Sequence, residues 1–194
     1  SMFPTLTEKL DPDVYMNNLG ELVRLSAVSA VLTTDEFAPV VRPRMNCPVY
    51  STTDIMLSSR QTTNDLPHPH PDDTAFLQHS SGTTGLQKGV ALSHKAVLNP
   101  LAAYSEAIEL SEIDLIVSWL PLYHDMGLIA GFLLPLMQGV PLVLMSPFDW
   151  VNHPALLFRA IHEHRGTLCW LPNFAYNHSA HRIRRRDSQE YSVD

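Results

Sequence analysis

Hydrophobic residues recur with two different spacings along the chain, and the way these spacings alternate predicts helices and strands in turn. Four residues near the start follow helical spacing: Leu19, Leu22, Val23 and Leu25. The β-branched run at 28–33 predicts a short strand after that helix. Further along, the pattern predicts strands at 74–78, 115–120, 141–145 and 167–171. Helices are predicted at about 93–108, 127–137, 154–164 and 174–185.

Strands that alternate with helices predict right-handed βαβ units. The expected fold class is therefore α/β, a doubly wound, mostly parallel sheet with helices on both faces. Pro100 falls inside the helix predicted at 93–108 and should kink it. Pro154 and Gly166 mark the start and the end of the helix predicted at 154–164.

The segment 42–73 does not follow this alternation of strands and helices. It is rich in Ser, Thr and Asn and contains five prolines: Pro43, Pro48, Pro67, Pro69 and Pro71. This composition predicts an irregular connection with one short strand at 49–50. We therefore expect three parts, a helix–strand unit at 1–41, the irregular connection at 42–73 and a βαβ subdomain at 74–194.

The apolar run at 126–145 is long enough to suggest a transmembrane helix. Pro135, Gly139 and Pro141 interrupt it, which favours a buried helix, a glycine turn and a buried strand. We therefore expect no membrane span.

Charge and cysteine content narrow the function classes. The chain of 194 residues has a formal net charge of −7 at pH 7, which argues against a nucleic-acid binder. Cys47 and Cys169 lie far apart and form no CxxC motif, so a reducing compartment, the cytoplasm, is expected. Two histidine pairs, His68 with His70 and His162 with His164, lack a partner set for zinc, so no metal-ligating residue is predicted.

The most informative segment is 80–89, SSGTTGLQKG, which directly follows a predicted strand. Gly82, Gly85 and Gly89 allow positive φ and let backbone amides approach an anion. Four hydroxyls and the ammonium of Lys88 add groups that suit phosphate. The order differs from Walker A, and an ordinary polar turn with an exposed lysine is the alternative.

Four motifs, of which the phosphate-binding candidate is the first, directly follow predicted strands: SSGTTG, YHDMG, SPFDW and PNFAY. Because ligands of open α/β sheets bind outside the carboxyl ends of the strands, a parallel sheet would bring all four to one edge. His124 and Asp125 would then form a polar pair at the mouth of an apolar cleft. From the residues alone, His124 also fits a helix-capping or core histidine, and Asp125 a helix-start residue. Asn173 also fits an N-cap, and Phe174 a core aromatic.

Three runs carry a family resemblance. The run SSGTTGLQKGVALSHKAVL resembles the phosphate loop of the adenylate-forming superfamily, which includes acyl-CoA synthetases and fatty acyl-AMP ligases. The runs SWLPLYHDMGLIAGFLLPL and LPNFAYNHSAHRI resemble the fatty acyl-AMP ligase branch. Together they cover nearly all of 72–186, and 12–41 resemble the helix and strand that precede this region in the family.

The resemblance implies an ATP-dependent ligase that converts a fatty acid to acyl-adenylate with Mg²⁺, then transfers the acyl group to an acyl carrier protein or to coenzyme A. It assigns nucleotide binding to Ser80, Ser81, Gly82, Thr83, Thr84, Gly85 and Lys88. It assigns substrate binding to His124, Asp125, Gly127, Asn173 and Phe174. The catalytic residues that it implies are His124 and Lys88.

The family's chains are more than twice as long, and its adenine, ribose, hinge and C-terminal lysine motifs are not found here. We therefore expect part of the N-terminal domain of the adenylate-forming fold, inactive by itself. An acyl-CoA synthetase, a non-catalytic nucleotide- or carrier-binding module and an unrelated phosphate-binding α/β domain are the alternatives. The arginines at 182 and 184–186 fit either a site for an acidic carrier protein or a solvated helix end.

Overall fold

The structure is a computed structural model that describes residues 2–3, 11–57, 68–79, 89–184 and 191. The chain folds as two compact units. The first, the N-terminal unit, comprises Thr5–Pro69 and His79–Val90. The second, the C-terminal unit, comprises Ser1–Pro4, His70–Gln78 and Ala91–Asp194.

The N-terminal unit begins with the predicted amphipathic helix, α1 (Pro12–Leu25). The carboxylate of Asp11 caps it by accepting hydrogen bonds from the amides of Asp13 and Val14. The apolar face of α1 is buried through Met16, Leu19, Leu22 and Val23. The other elements are β1 (Val31–Thr33), α2 (Ala38–Val41), a 3₁₀ turn (Arg42–Arg44), β2 (Val49–Ser51) and α3 (Thr52–Leu57). β1 and β2 pair in parallel, with Val31 opposite Val49.

Residues 42–57 are more regular than their proline and polar content predicts. Two carboxylates hold the junction of β2 and α3 together. Asp54 accepts hydrogen bonds from the Ser51 amide and the Arg42 guanidinium, and Asp35 accepts them from Thr52 and Thr53. Hydrogen bonds from the side chains of Ser51, Thr52 and Thr53 hold the pKa of Asp35 well below its usual range. The bonds from Arg42 to Asp54 and from Thr52 and Thr53 to Asp35 join separate segments, so local composition does not reveal them. The division into 1–41, 42–73 and 74–194 stays a prediction.

The alternating elements lie in the C-terminal unit, apart from His79, Gly89 and Val90, which belong to the N-terminal unit. They are β3 (Thr74–His79), β4 (Gly89–Ser93), α4 (His94–Ala107), β5 (Ile116–Ser118), a π-helix (Met126–Leu133), α5 (Leu134–Gln138), β6 (Leu142–Leu144), α6 (Pro147–Asn152), α7 (Ala155–His164) and α8 (Asn173–Arg182). β3 and β4 pair with each other, and β5 pairs in parallel with β6. On its other side β5 makes a parallel bridge from Ile116 to Leu168.

Helices cover both faces of β5. Adjacent residues of a strand point to opposite faces, so Ile116 and Val117 show what packs on each face. Ile116 packs in a buried cluster with residues of α4 and α5: Val97, Leu101 and Leu134. Val117 packs in another buried cluster with residues of α6, α7 and α8: Trp150, Leu157 and Ala175. Both residues are fully buried, as expected for a parallel strand between two helical layers. The predicted α/β fold class is therefore confirmed.

One strand prediction is wrong. The segment 167–171 forms only the bridge at Leu168, and the Leu115 amide beside it donates to the Thr167 hydroxyl instead of a strand carbonyl. The helix predicted at 127–137 is confirmed, as the π-helix up to Leu133 and then α5. The predicted end of the helix at 154–164 is also confirmed, and Arg165, with φ of 55°, follows α7 in the left-handed conformation. Gly166 is needed for space, since a Cβ there would lie 2.5 Å from Val117 Cγ2. Pro100 lies inside α4, and its kink stays a prediction.

The apolar run at 126–145 folds as the π-helix, α5, a left-handed turn at Gly139 with φ of 70°, and β6. The predicted order of helix, glycine turn and strand is confirmed there. Within the ranges that the structure describes, no helix has both the length and the hydropathy needed to cross a membrane.

Candidate active site

The turn that carries His124 folds tightly onto the segment before it. The amide of His124 donates to the carbonyl of Pro121, and the amide of Leu128 donates to the carbonyl of His124. A Cβ at Gly127 would lie 2.2 Å from the Pro121 oxygen, so only glycine permits this approach. The turn leaves the side chains of His124 and Asp125 exposed.

Asp125 begins the π-helix, and its carboxylate accepts a hydrogen bond from the amide of Met126 over 2.7 Å. This confirms the interpretation of Asp125 as a helix-start residue. His124 is exposed, so the core alternative for it is wrong. The rings of Tyr123 and His124 have their centroids 4.7 Å apart.

β3 ends beside this turn. Gln78 Nε2 donates a hydrogen bond to the Tyr123 carbonyl over 3.2 Å. Residues 80–88, which follow β3, lie outside the described residues. All the predicted nucleotide-binding residues fall in this segment: Ser80, Ser81, Gly82, Thr83, Thr84, Gly85 and Lys88. Gly89 is described and starts β4 without the positive φ that the sequence suggested. A Cβ at Gly89 would lie 3.3 Å from Nε2 of the buried His79, so this position favours a small residue.

An apolar cleft of about 670 Å³ opens between α4 and the π-helix. The α4 residues that line it are Pro100, Leu101, Ala103 and Tyr104, and the others are Asp125, Met126, Ile129 and Ala130. Asp125 is the one ionisable carboxyl among these lining residues, and it is adjacent to His124 in the turn. The volume lies in the range of pockets that bury small organic ligands. The sequence predicted an apolar cleft with a polar mouth but did not identify its α4 wall.

An aromatic cluster joins two of the four strand-end motifs to the end of β5. Trp119 follows β5, Trp150 lies in SPFDW, and their rings stack with centroids 3.7 Å apart and planes 6° from parallel. Phe174 of PNFAY packs edge-on against both indoles, at 6.2 and 6.3 Å. Two motifs and the end of β5 therefore meet in one cluster, as expected for parallel strands that end at the same edge of a sheet. The sequence placed these motifs at strand ends but did not predict the stack of the two tryptophans.

The sequence profile of the AMP-binding enzyme family matches residues 9–192 of the 194. This chain belongs to the AMP-binding enzyme family. The superfamily resemblance carried by the three motif runs is thereby confirmed.

Two curated relatives and one solved structure indicate the branch within the AMP-binding enzymes. A medium-chain-fatty-acid acyl-carrier-protein ligase from Teredinibacter turnerae is 35% identical over 128 residues, 66% of this chain and 20% of that protein. A long-chain-fatty-acid–AMP ligase from Mycolicibacterium smegmatis is 35% identical over 181 residues, 84% of this chain and 28% of that protein. The fatty acyl-adenylate ligase of L. pneumophila, solved in complex with acyl adenylate and pyrophosphate, matches 99% of this chain with a TM-score of 0.84 and 31% identity.

This AMP-binding enzyme chain spans between a fifth and a third of these relatives' lengths. It therefore supplies one part of the adenylate-forming fold, as the missing motifs predicted. The fatty acyl-AMP ligase branch, expected from YHDMG and PNFAY, agrees with the names of these relatives.

Asn173 and Phe174, at the start of α8 in this AMP-binding enzyme, do not have the N-cap and core roles that the residues alone suggested. The N-cap of α8 is Pro172 and makes no side-chain cap bond, so Asn173 is the first helical residue rather than the cap. Phe174 is 58% exposed, so it is not a core aromatic. Neither residue lines the cleft between α4 and the π-helix. Their predicted contact with substrate stays a prediction.

The histidine pair of α7, His162 and His164, is exposed. In the part of the chain that the structure describes, no three His, Cys, Asp or Glu side chains cluster in a way that could hold a metal ion.

Proposed function

We propose that the protein to which this chain belongs activates a fatty acid as its acyl-adenylate and passes the acyl group to an acyl carrier protein. The family match supports ATP as the co-substrate, and the names of the relatives support fatty acids and the carrier. The observation that carries the proposal is the apolar cleft whose lining includes Asp125, next to the exposed His124.

In this proposal the cleft between α4 and the π-helix holds the alkyl chain. The carboxylate then lies near the turn at 121–125, where an oxygen of the acid attacks the α-phosphorus of ATP. The bond to pyrophosphate breaks, and pyrophosphate leaves with its electron pair. His124 donates a hydrogen bond to the reacting carboxylate as charge moves during the step, and positioning supplies much of the rate.

The loop at 80–88 holds the β- and γ-phosphates in this proposal, with Lys88 as the point charge. Mg²⁺ arrives with ATP and supplies charge neutralisation when bound. Gly127 keeps the turn tight, and Asn173 and Phe174 approach the acyl group from α8. The predicted cytoplasmic location belongs to the same proposal.

The test is acyl-adenylate formation by the full-length protein, measured as ATP–pyrophosphate exchange that depends on added fatty acid. We expect exchange from the full-length protein and none from the 194 residues alone. Robust exchange by the 194 residues would contradict the second expectation. Nucleotide binding by the full-length protein without exchange would favour a non-catalytic module.

The acceptor is tested separately, by supplying either a phosphopantetheinylated acyl carrier protein or coenzyme A after the adenylate has formed. We expect acyl transfer to the carrier protein. Transfer to coenzyme A alone would identify an acyl-CoA synthetase instead.

A further inference from the structure

Tyr104 has the largest side chain among the described residues that line the cleft, and it is hydrogen-bonded to a residue outside the cleft. Trp170 Nε1 donates a hydrogen bond to Tyr104 Oη over 2.7 Å. The two rings have centroids 6.2 Å apart and planes inclined at 43°. Because an indole N–H only donates, the tyrosine oxygen is the acceptor and must stay within reach of the indole. Trp170 itself does not line the cleft.

Trp170 is a firm anchor because it packs against both buried clusters of the C-terminal unit. One cluster contains Val117 and Trp150, and the other contains Ile116 and Leu101. A side chain held between two close-packed clusters has little freedom to change rotamer. The hydroxyl of Tyr104 is therefore tied to the core, although 38% of the residue is exposed.

The rest of the cleft lining is smaller or more adaptable. Ala103 and Ala130 leave space, and the unbranched side chain of Met126 adapts its shape to a ligand. Tyr104 is thus the one aromatic residue among the described residues that line the cleft, and its hydrogen bond to Trp170 favours the observed position of the ring.

We propose that Tyr104 determines the acyl specificity of this cleft and that Trp170 is its positioning residue. The anchored ring limits the length and the bulk of the acyl chain that the cleft accepts. This inference rests on the proposed function, because it takes the cleft as the site of the acyl chain. It concerns the choice among fatty acids and not the adenylation step itself.

The experiment measures kcat/KM for adenylate formation by the full-length protein, over straight-chain fatty acids of increasing length and branched acids of matched length. We expect Tyr104→Ala to change the ratio of kcat/KM values toward longer or bulkier acids by about 10-fold or more. Trp170→Phe keeps the aromatic bulk but removes the donor, so we expect a smaller change in the same direction. Tyr104→Phe removes the acceptor from the same bond and should match Trp170→Phe.

Tyr50→Ala is the matched control, because Tyr50 is an exposed tyrosine of β2 in the N-terminal unit. It should leave the order of preferred acids unchanged. If Tyr104→Ala fails to fold, a change of the same size toward longer or bulkier acids in Tyr104→Phe and Trp170→Phe supports the inference, and an unchanged preference in both overturns it.

An equal fall of kcat/KM for every acid in the Tyr104 and Trp170 variants would overturn the inference and leave the proposed function intact. A wild-type protein that adenylates no fatty acid would reject the proposed function, and the inference with it.

Discussion

The side chain of Gln78 donates a hydrogen bond to the main-chain carbonyl of Tyr123, 3.2 Å away. The bond joins the end of β3 to the turn that carries His124, across 45 residues of sequence. Gln78 is half-buried and stands two residues before the segment predicted to bind phosphates. One amide therefore sets the position of the His124 turn relative to the strand that leads into that segment.

We predict that Gln78→Leu lowers kcat for adenylate formation by about 10-fold, because a small displacement of a positioning group is costly in rate. The melting temperature should change little, since one neutral hydrogen bond contributes about 1 kcal/mol. The measurements are pyrophosphate exchange and thermal unfolding of the full-length protein. Gln138→Leu is the control, because Gln138 is exposed at the end of α5. An unchanged kcat in Gln78→Leu would show that the bond is only structural.

Replacement of His124 tests its proposed role as a hydrogen-bond donor to the reacting carboxylate. We expect His124→Ala to lower kcat by about 100-fold, the size of effect seen when one preorganised donor is lost. KM for ATP should hardly change. His124→Gln retains a donor and should recover part of the rate. His164→Ala, at the exposed end of α7, is the control. A His124→Ala protein with wild-type kcat would remove His124 from the mechanism.

Gly127→Ala tests the packing of the same turn. The new Cβ would lie 2.2 Å from the Pro121 oxygen and 3.0 Å from the Leu120 oxygen, and neither backbone atom can move aside cheaply. We expect a loss of stability of about 1–3 kcal/mol, typical of an overpacked site, measured as a lower melting temperature. In Gly20→Ala, within α1, the nearest atom would be 3.6 Å away. That control should be neutral or slightly stabilising, because alanine favours helix. Equal melting temperatures for both variants would contradict the predicted clash.

Sequence periodicity was sufficient to predict which residues are buried where the pattern lies within a single helix or strand. The apolar face of α1 is an example, since Leu19, Leu22 and Val23 follow helical spacing and are buried. The burial of β5 on both faces also follows from the mainly apolar run at 115–120. The motif runs identified the family because their residue order is specific along the chain, whatever the packing around them.

Features that depend on contacts between distant residues were not predictable in the same way. The stack of Trp119 on Trp150 and the bond from Trp170 to Tyr104 each join separate elements. The apolar run at 167–171 has the composition of a strand, yet only Leu168 bridges β5. The composition of an apolar run indicates that it is buried. Whether the run also pairs as a strand depends on how it packs against the rest of the core.

The acid stability of the C-terminal unit should depend on Asp114. The Thr167 hydroxyl donates to its carboxylate over 2.8 Å, and the amide and hydroxyl of Ser111 donate to it as well. These hydrogen bonds favour the charged form and lower the pKa of Asp114 in the folded protein. The stabilisation is therefore complete above the unfolded pKa of about 3.9, and it is lost as the pH falls through the folded pKa.

We predict that Asp114→Asn lowers the melting temperature near neutral pH and that the difference from wild type narrows as the pH falls below about 4. The measurement is thermal unfolding of the full-length protein over a series of acidic pH values. Glu112→Gln, an exposed carboxyl two residues away, is the control and should follow wild type throughout. A difference between Asp114→Asn and wild type that is constant with pH would contradict this assignment.

Lys88 is the residue on which the nucleotide-binding proposal depends most directly. Its ammonium is a compact point charge suited to phosphate, at the end of a run of glycines and hydroxyls. We predict that Lys88→Ala raises KM for ATP by at least about 10-fold, which corresponds to the loss of about 1.4 kcal/mol of binding. The fatty-acid preference should stay the same, because in the proposed function Lys88 holds phosphate and not the acyl chain. The control is Lys95→Ala, which removes an exposed lysine that pairs with Asp72. If Lys88→Ala leaves KM for ATP unchanged, the nucleotide-binding proposal for Lys88 is wrong and the loop is an ordinary polar turn.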